Sequence, residues 1–350
     1  MSGPVVLQVL DSLEVGGAQR VALQLSRWCV ENGIACVLAA PSGPLLRELP
    51  TGVRFFERRE RGFGAQTREL RKMRHRSRAT VMHAHQRREA LQALAAAGRS
   101  ALVVEHAHTL LASRSKVLDP LSFRSRAIFA VSPAVASMVA EDFGRAASRV
   151  EMIGNPVDRD MFADHHLPRP RGRRAMHVVA IGRLVDQKDP LRFVGAIREL
   201  VRRGTAVEAS WYGSGPLLGA ARTAAARHRL PLRFLPPVPD VRSVLDRADV
   251  LAMTSKFEGT PLVALEAFAR HTPVVATASS GGDGALGGGR AIVLPDASGP
   301  EQFADALIDV CNGTFDVDRM TSDAAEFARI HAHPDRVFAP VGRAYRVSLR

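Results

Sequence analysis

Short apolar runs alternate with longer stretches of helical periodicity along the chain, which is the pattern of parallel βαβ units. Residues 5–10 read as a first strand, 18–31 as a helix and 35–39 as a second strand, with Gly33 punctuating the turn between them. The alternation continues through strand candidates at 53–56, 80–84, 102–105, 127–131 and 150–153. Between Phe162 and Met176 it lapses into a proline- and arginine-rich stretch that reads as an exposed linker. It then restarts, with strands at 177–181, 207–212, 232–235, 250–253, 274–276 and 291–294 and a helix at 190–203. Residues 281–289 hold six glycines and read as a mobile loop, and the chain beyond Glu301 reads as helical.

This pattern predicts an α/β protein of two Rossmann-like domains, 1–162 and 177–334, joined by a linker at 163–176. A tail at 335–350 is expected to pack back on the first domain. A length of 350 residues suits two cores of ordinary size.

Composition narrows the classes. With 46% hydrophobic and 24% charged residues the chain can bury sizeable cores, and no apolar run is long enough to span a bilayer. The N-terminus runs straight into the first strand without a basic leader, so it reads as a strand and not as a signal peptide. Cys29, Cys36 and Cys311 lack CxxC spacing, which speaks against a zinc ribbon or a disulfide framework and fits a reducing cytoplasm. The formal net charge of +13 is concentrated in arginine clusters at 68–78 and 169–174. Such clusters are either solvated faces or a surface for an anionic partner. Aromatics make up only 5% and no nucleic-acid motif accompanies the charge, so nucleic acid is not the expected partner. A helix carrying Arg68, Arg71, Lys72 and Arg76, with Leu70 and Met73 for apolar contact, could meet an anionic acceptor or membrane surface.

Candidate chemistry gathers where strands end, the usual ligand side of an open parallel sheet. After the first strand come Gly16-Gly17-Ala18, two glycines that let backbone N–H groups approach a ligand at a helix N-terminus. Their spacing is not the G-x-G-x-x-G of a dinucleotide site. After the strand at 177–181 come Arg183 and Lys188, a guanidinium and an ammonium that can converge on one anion. The third segment holds Glu258, Gly259, Thr260, Pro261, Leu262 and Glu266, with Thr260 expected as N-cap and Pro261 as the first helical residue. The fourth is a set of four histidines, His83, His85, His106 and His108, at neighbouring strand ends. Together with Asp158-Arg159-Asp160 they raise a metal reading, but no spacing matches a metal motif, and they read as loop residues or polar ligand contacts.

In order, these segments resemble glycosyltransferase family 4, the retaining group with the GT-B fold. The resemblance spans nearly the whole chain. It rests on Gly16-Gly17-Ala18, Val131-Ser132, Asn155-Pro156-Val157-Asp158 with Phe162, Gly182-Arg183-Leu184 with Lys188, Gly213-Ser214-Gly215-Pro216, Ala248-Asp249-Val250, and Glu258 to Glu266 followed by Pro273-Val274-Val275-Ala276-Thr277. It implies two facing Rossmann-like domains with a nucleotide-sugar donor held in the cleft between them, and sugar transfer to an acceptor hydroxyl with retention. Arg183 and Lys188 match the pair on the donor diphosphate, Glu258 the carboxylate at the transferred sugar and Glu266 the carboxylate on the ribose. Gly259, Thr260, Pro261 and Leu262 match the segment that offers backbone groups to sugar and phosphate, and Gly16 and Gly17 the phosphate approach from the first domain. His106 best matches the first-domain histidine near the reacting sugar, with His108 second. No metal or cofactor is implied.

The chain departs from the pattern at His271, where glycine is usual, at Pro237, and after Ser280. A nucleotide-sugar epimerase and a non-catalytic sugar-nucleotide or lipid-binding relative share the donor site and remain alternatives.

Overall fold

The computed structural model describes residues 3–111, 119–162, 175–258, 260–278 and 282–347. They form two compact units, Met1–Pro156 with His333–Arg350, and Val157–Ala332. The greater part of the expected linker, 163–174, and the glycine at 281 lie outside the described residues.

The first unit holds strands β1 (Val5–Val9), β2 (Ala35–Ala40), β3 (Arg54–Glu57), β4 (Val81–Ala84), β5 (Leu102–Ala107), β6 (Ala127–Ala130) and β7 (Val150–Met152). They form one parallel sheet in the order β3-β2-β1-β4-β5-β6-β7. Helices α1 (Gly17–Glu31), α2 (Phe63–Ser77), α3 (Arg87–Ala97) and α4 (Pro133–Ser137) connect them.

The second unit holds β8 (Met176–Ile181), β9 (Val207–Tyr212), β10 (Leu232–Leu235), β11 (Val250–Met253), β12 (Val274–Thr277) and β13 (Ile292–Leu294). These are also all parallel, in the order β10-β9-β8-β11-β12-β13. Its helices are α5 (Pro190–Arg202), α6 (Leu218–Arg227), α7 (Arg242–Arg247), α8 (Leu262–Ala269), α9 (Pro300–Asn312) and α10 (Val317–His331).

The central strands β4, β11 and β12 are buried at every position, as a parallel sheet covered on both faces requires, which is why they read as unbroken runs and not as alternations. Local signals set the helix ends. Asp189 caps α5, its carboxylate accepting the Arg192 N–H at 3.2 Å, and Pro190 takes the first helical position. Gly33 follows α1 with φ of 70°. Strand order reverses between β1 and β4 in the first unit and between β8 and β11 in the second. The carboxyl ends flanking a reversal leave the crevice where doubly wound sheets bind ligands.

Helix α11 (Pro334–Val347) belongs to the first unit and lies against α1. The Trp28 indole donates to Asp335 Oδ1 at 3.0 Å and its ring lies 6.0 Å from that of Phe338. Gly342 is required there, because a Cβ would stand 2.6 Å from Trp28 Cη2. Val337, Phe338, Val341 and Tyr345 are buried to 1% exposure or less.

Three expectations need correcting. Strand β5 does not stop at Glu105 but continues through His106, which pairs with Phe129, to Ala107. The polar pair Glu105-His106 broke the apolar pattern without breaking the strand. The glycine-rich segment forms a helical turn at Gly282–Leu286, with Leu286 fully buried and the Arg290 guanidinium donating to the carbonyls of Ala285 at 2.9 Å and Gly284 at 2.8 Å. On α2, Leu70 and Met73 face the core, so they are not free for an outside surface, whereas Arg68, Arg71, Lys72, His75 and Arg76 are exposed. Among the described residues no helix is long and apolar enough to cross a membrane.

Candidate functional site

In the second unit the two loops at the strand-order reversal carry most of the expected donor residues. After β8 the chain turns at Gly182, where φ is 148° and a Cβ would press within 3.3 Å of Lys188 Cε. The Gly213-Ser214-Gly215 segment after β9 locks this turn. A Cβ on Gly213 would fall 1.9 Å from the Gly182 carbonyl oxygen, and one on Gly215 would fall 2.4 Å from that of Leu184. The Leu184 N–H donates to Ser214 O at 2.9 Å, and the Trp211 indole to Gly182 O at 2.9 Å. These glycines therefore serve backbone contact between neighbouring loops.

Arg183 is exposed on this turn, and its side chain makes no hydrogen bond or ion pair among the described residues. Lys188 ends a short helical turn, Asp186–Lys188, and its ammonium is paired with Glu258 Oε1 from the loop after β11. The side chains of the pair are 19% and 10% exposed, so the pair is shielded but reachable. Ser255 Oγ donates to the same carboxylate oxygen at 2.8 Å, and the Gln187 amide donates to Phe257 O at 2.9 Å. Thr254 Oγ1 reaches the carbonyls of Lys188 at 2.9 Å and Asp189 at 3.0 Å. Between those carbonyls Asp189 holds a left-handed backbone, φ 45°, sparsely populated for a residue with a side chain. The two loops are thus tied together through side chains that spacing did not single out. Thr254 and Ser255 are legible only as polar residues directly after a strand, and Gln187 only as a polar residue of the loop after β8.

Helix α8 opens beside Glu258. Its first helical residue is Leu262 and the cap position is held by Pro261, so the expected assignment of Thr260 as cap moves by one residue. The reason is that Pro261 adopts an extended ψ of 117°, which leaves it outside the helix, and no side chain caps the end. Uncapped N–H groups at a helix N-terminus favour an anion. Every residue of α8 is buried except Leu262 and Glu266, which therefore share its one open face. Gly259 lies outside the described residues. After α8, His271 has φ of 52°, which accounts physically for the glycine usual at that position.

In the first unit α1 starts at Gly17, exposed, with Gly16 in the cap position and no capping side chain. A Cβ on Gly16 would stand 2.3 Å from Gln19 Oε1. This too is an open helix N-terminus at a strand-order reversal.

Two of the four histidines, His83 and His106, lie within strands, whereas His85 and His108 directly follow β4 and β5. His83, His85 and His106 are 0%, 1% and 1% exposed, and only His108, after the end of β5, is partly exposed. His106, the stronger sequence match to a sugar-facing histidine, is thus the buried one. Rings of His83 and His85 stack with centroids 4.7 Å apart and those of His106 and His108 at 4.3 Å. His83 Nδ1 lies 2.5 Å from Tyr345 Oη, His85 Nε2 lies 2.8 Å from the Gln8 carboxamide, and His85 Nδ1 lies 3.1 Å from His108 Nε2. Burial holds the first three well below the ordinary imidazole range and His108 at about 3, so all four are neutral. Neither ring nitrogen of His106, nor His83 Nε2, has a hydrogen-bond partner among the described residues. Each such buried, unpaired group costs about 1–3 kcal/mol. Asp158 and Asp160 join no group of metal-apt side chains among the described residues.

Comparison with known proteins settles the family. Residues 15–161 match the model of Glycosyltransferase Family 4, and residues 175–312 match that of Glycosyl transferases group 1. The chain belongs to the family 4 glycosyltransferases. Among curated relatives, a D-inositol 3-phosphate glycosyltransferase of Paenarthrobacter aurescens is 31% identical over 219 residues, 59% of this chain and 52% of the relative. A Corynebacterium jeikeium protein of the same name is 36% identical over 183 residues, 47% of this chain and 44% of the relative. The chain spans about half the length of these curated relatives.

Among solved structures, a glycosyltransferase from Rickettsia africae is similar with a TM-score of 0.84 at 15% identity, covering 100% of both chains. Anabaena HepE, solved with UDP-glucose, is similar with a TM-score of 0.82 at 17% identity, covering 97% of this chain and 98% of that one. At such identities the likeness establishes the fold, GT-B.

Proposed function

We propose that this glycosyltransferase moves a sugar from a nucleoside diphosphate to an acceptor hydroxyl with retention at the anomeric carbon, without a divalent cation on the diphosphate. The observation that carries the reading is the arrangement after β8 and β11. Exposed Arg183, the Lys188–Glu258 pair and the uncapped start of α8 all lie at one strand-order reversal. A leaving diphosphate needs preorganised positive charge, which a guanidinium, an ammonium and helix N–H groups supply. Lys188 has three donors, so its pairing with Glu258 leaves two for a phosphate. Glu258 would then turn its second oxygen to a sugar hydroxyl, Glu266 would take the ribose from the open face of α8, and Thr260, Pro261 and Leu262 would line the phosphate end. On the first unit Gly16 and Gly17 offer N–H groups, and His108 is the histidine with access to solvent.

HepE is solved with UDP-glucose, which makes uridine the first base to try, and the name of the curated relatives makes a phosphorylated cyclitol the first acceptor. A positively charged protein suits such an anionic acceptor. Thermal shift across nucleoside diphosphates and their sugars tests donor binding, because ligand binding to the native state raises apparent stability. One base should raise the midpoint, and its sugar should be transferred with the anomeric configuration kept, in excess EDTA as in magnesium. No response to any diphosphate, inversion, or a complete magnesium-restorable loss in EDTA would overturn the reading.

A further inference from the structure

His83, His85 and His106 take no part in the donor-site chemistry proposed above, and their arrangement is specific. A His-x-His step at the end of β4 and another at the end of β5 put alternate residues of neighbouring strands on one face, so four imidazoles converge. We propose that His83, His85 and His106 bind a transition-metal ion that prefers imidazole, Zn2+ foremost.

One ring nitrogen from each of His83, His85 and His106 lies within 4.8 Å of the others. Nitrogens bound to one tetrahedral zinc at about 2.0–2.1 Å stand about 3.4 Å apart, and the stacked His83 and His85 rings, 8° from parallel, would have to turn toward each other for both lone pairs to meet the ion. His85 Nδ1 and His108 Nε2 are already 3.1 Å apart. The outward nitrogens are held as those of metal-bound histidines are, His83 Nδ1 by the Tyr345 hydroxyl and His85 Nε2 by Gln8. That leaves His83 Nε2 and both nitrogens of His106 buried without a partner among the described residues. A metal ion would take the lone pair of His83 Nε2 and that of one His106 nitrogen, while the other His106 nitrogen, an N–H in the neutral ring, keeps no partner among the described residues. Imidazoles without a carboxylate among them select zinc, nickel, cobalt or copper over magnesium and calcium. The ion would tie β4 to β5 and, through Tyr345, to α11, a structural role that does not depend on the proposed transfer reaction.

The test is titration of Zn2+ into the chelator-stripped protein against a chromophoric zinc indicator. One tight equivalent per chain is expected, with a rise in Tm. His83→Ala and His106→Ala should weaken binding at least about 100-fold, and Tyr345→Phe about 10- to 100-fold as for other outer-shell partners. His228→Ala, on an exposed histidine, should leave it unchanged. Absence of a tight equivalent, or its survival in the His83→Ala/His106→Ala double variant, overturns the site. Should the alanine variants not fold, X-ray absorption at the zinc edge on the wild-type protein decides. Three or more imidazoles around the metal support the site, and a shell of oxygens rules it out.

Discussion

Lys188 and Glu258 are far apart in sequence, and it is the adjacency of β8 and β11 that makes them one ion pair. Of the two cations Lys188 and Arg183, Arg183 is the one whose side chain has no ion pair among the described residues. Arg183→Ala and Lys188→Ala should each lower kcat/KM by on the order of 100-fold, as loss of one electrostatic stabiliser does, with far-UV circular dichroism unchanged. Near-normal turnover in both would remove the diphosphate assignment. Gly213 makes a complementary case, in which the residue acts on the fold. Gly213→Ala places a methyl group on the Gly182 carbonyl, and a shift of the denaturant midpoint corresponding to about 1–3 kcal/mol is expected. Both glycine motifs were visible in the sequence, but their purpose was not, because a contact between two loops has no signature in either loop alone. His106 was misjudged for a related reason. A polar residue ending an apolar run reads as a strand end, and only pairing to Phe129 reveals that the strand goes on.

Whole elements were easier to read than their edges. β9, β10 and β11 have the boundaries their apolar runs suggest, because β11 is buried at every position and in β9 and β10 a single exposed residue, Glu208 or Arg233, does not break the run. The start of α8 was placed one residue early, because threonine is a good cap in general while here Pro261 occupies the position. In α5 Glu199 gathers Arg202 at 2.6 Å and Arg203 at 2.7 Å, and Arg203 also pairs with Asp305 of α9. Hydrogen bonds from Arg202 and then Arg203 hold the Glu199 carboxyl at about 2, below the unfolded value of about 4.3. A depressed folded value gives stability that is present above about pH 4.3 and lost as pH falls through about 2. Acid unfolding of Glu199→Gln should therefore have a shallower pH dependence across that window than wild type, and an identical slope would show that the pair is solvent-screened.

On α2 the exposed Arg68, Arg71, Lys72 and Arg76 remain candidates for an anionic surface, but by charge alone, since Leu70 and Met73 are buried. Binding to anionic vesicles should then vanish between about 0.1 M and 1 M salt, as the Debye length shrinks from about 10 Å to about 3 Å. Equal sedimentation with neutral vesicles, or with Arg71, Lys72 and Arg76 all changed to Gln, would rule it out.

At the scale of the molecule, the chain leaves the first unit at Pro156 and returns to it at His333. Four large side chains of α11 are buried there, each contributing about 1.5–3 kcal/mol. Removing residues 333–350 takes away about 6–12 kcal/mol, comparable with the usual net stability of a domain, about 5–15 kcal/mol. Limited proteolysis should then cut the first unit rapidly while the second survives, and a truncated protein of normal resistance would show that α11 is dispensable. A core completed by the last helix also fixes an order of events on the ribosome. Once Pro156 has been made, the intervening stretch up to Ala332 takes roughly 9–35 s to synthesise at about 5–20 residues per second. Through that interval Trp28 and the surface beneath α11 have no cover, while the second unit can fold as soon as it emerges. The first unit is thus begun before the second and finished after it, and nascent chains would be open to chaperones and proteases on the α1 side throughout that interval.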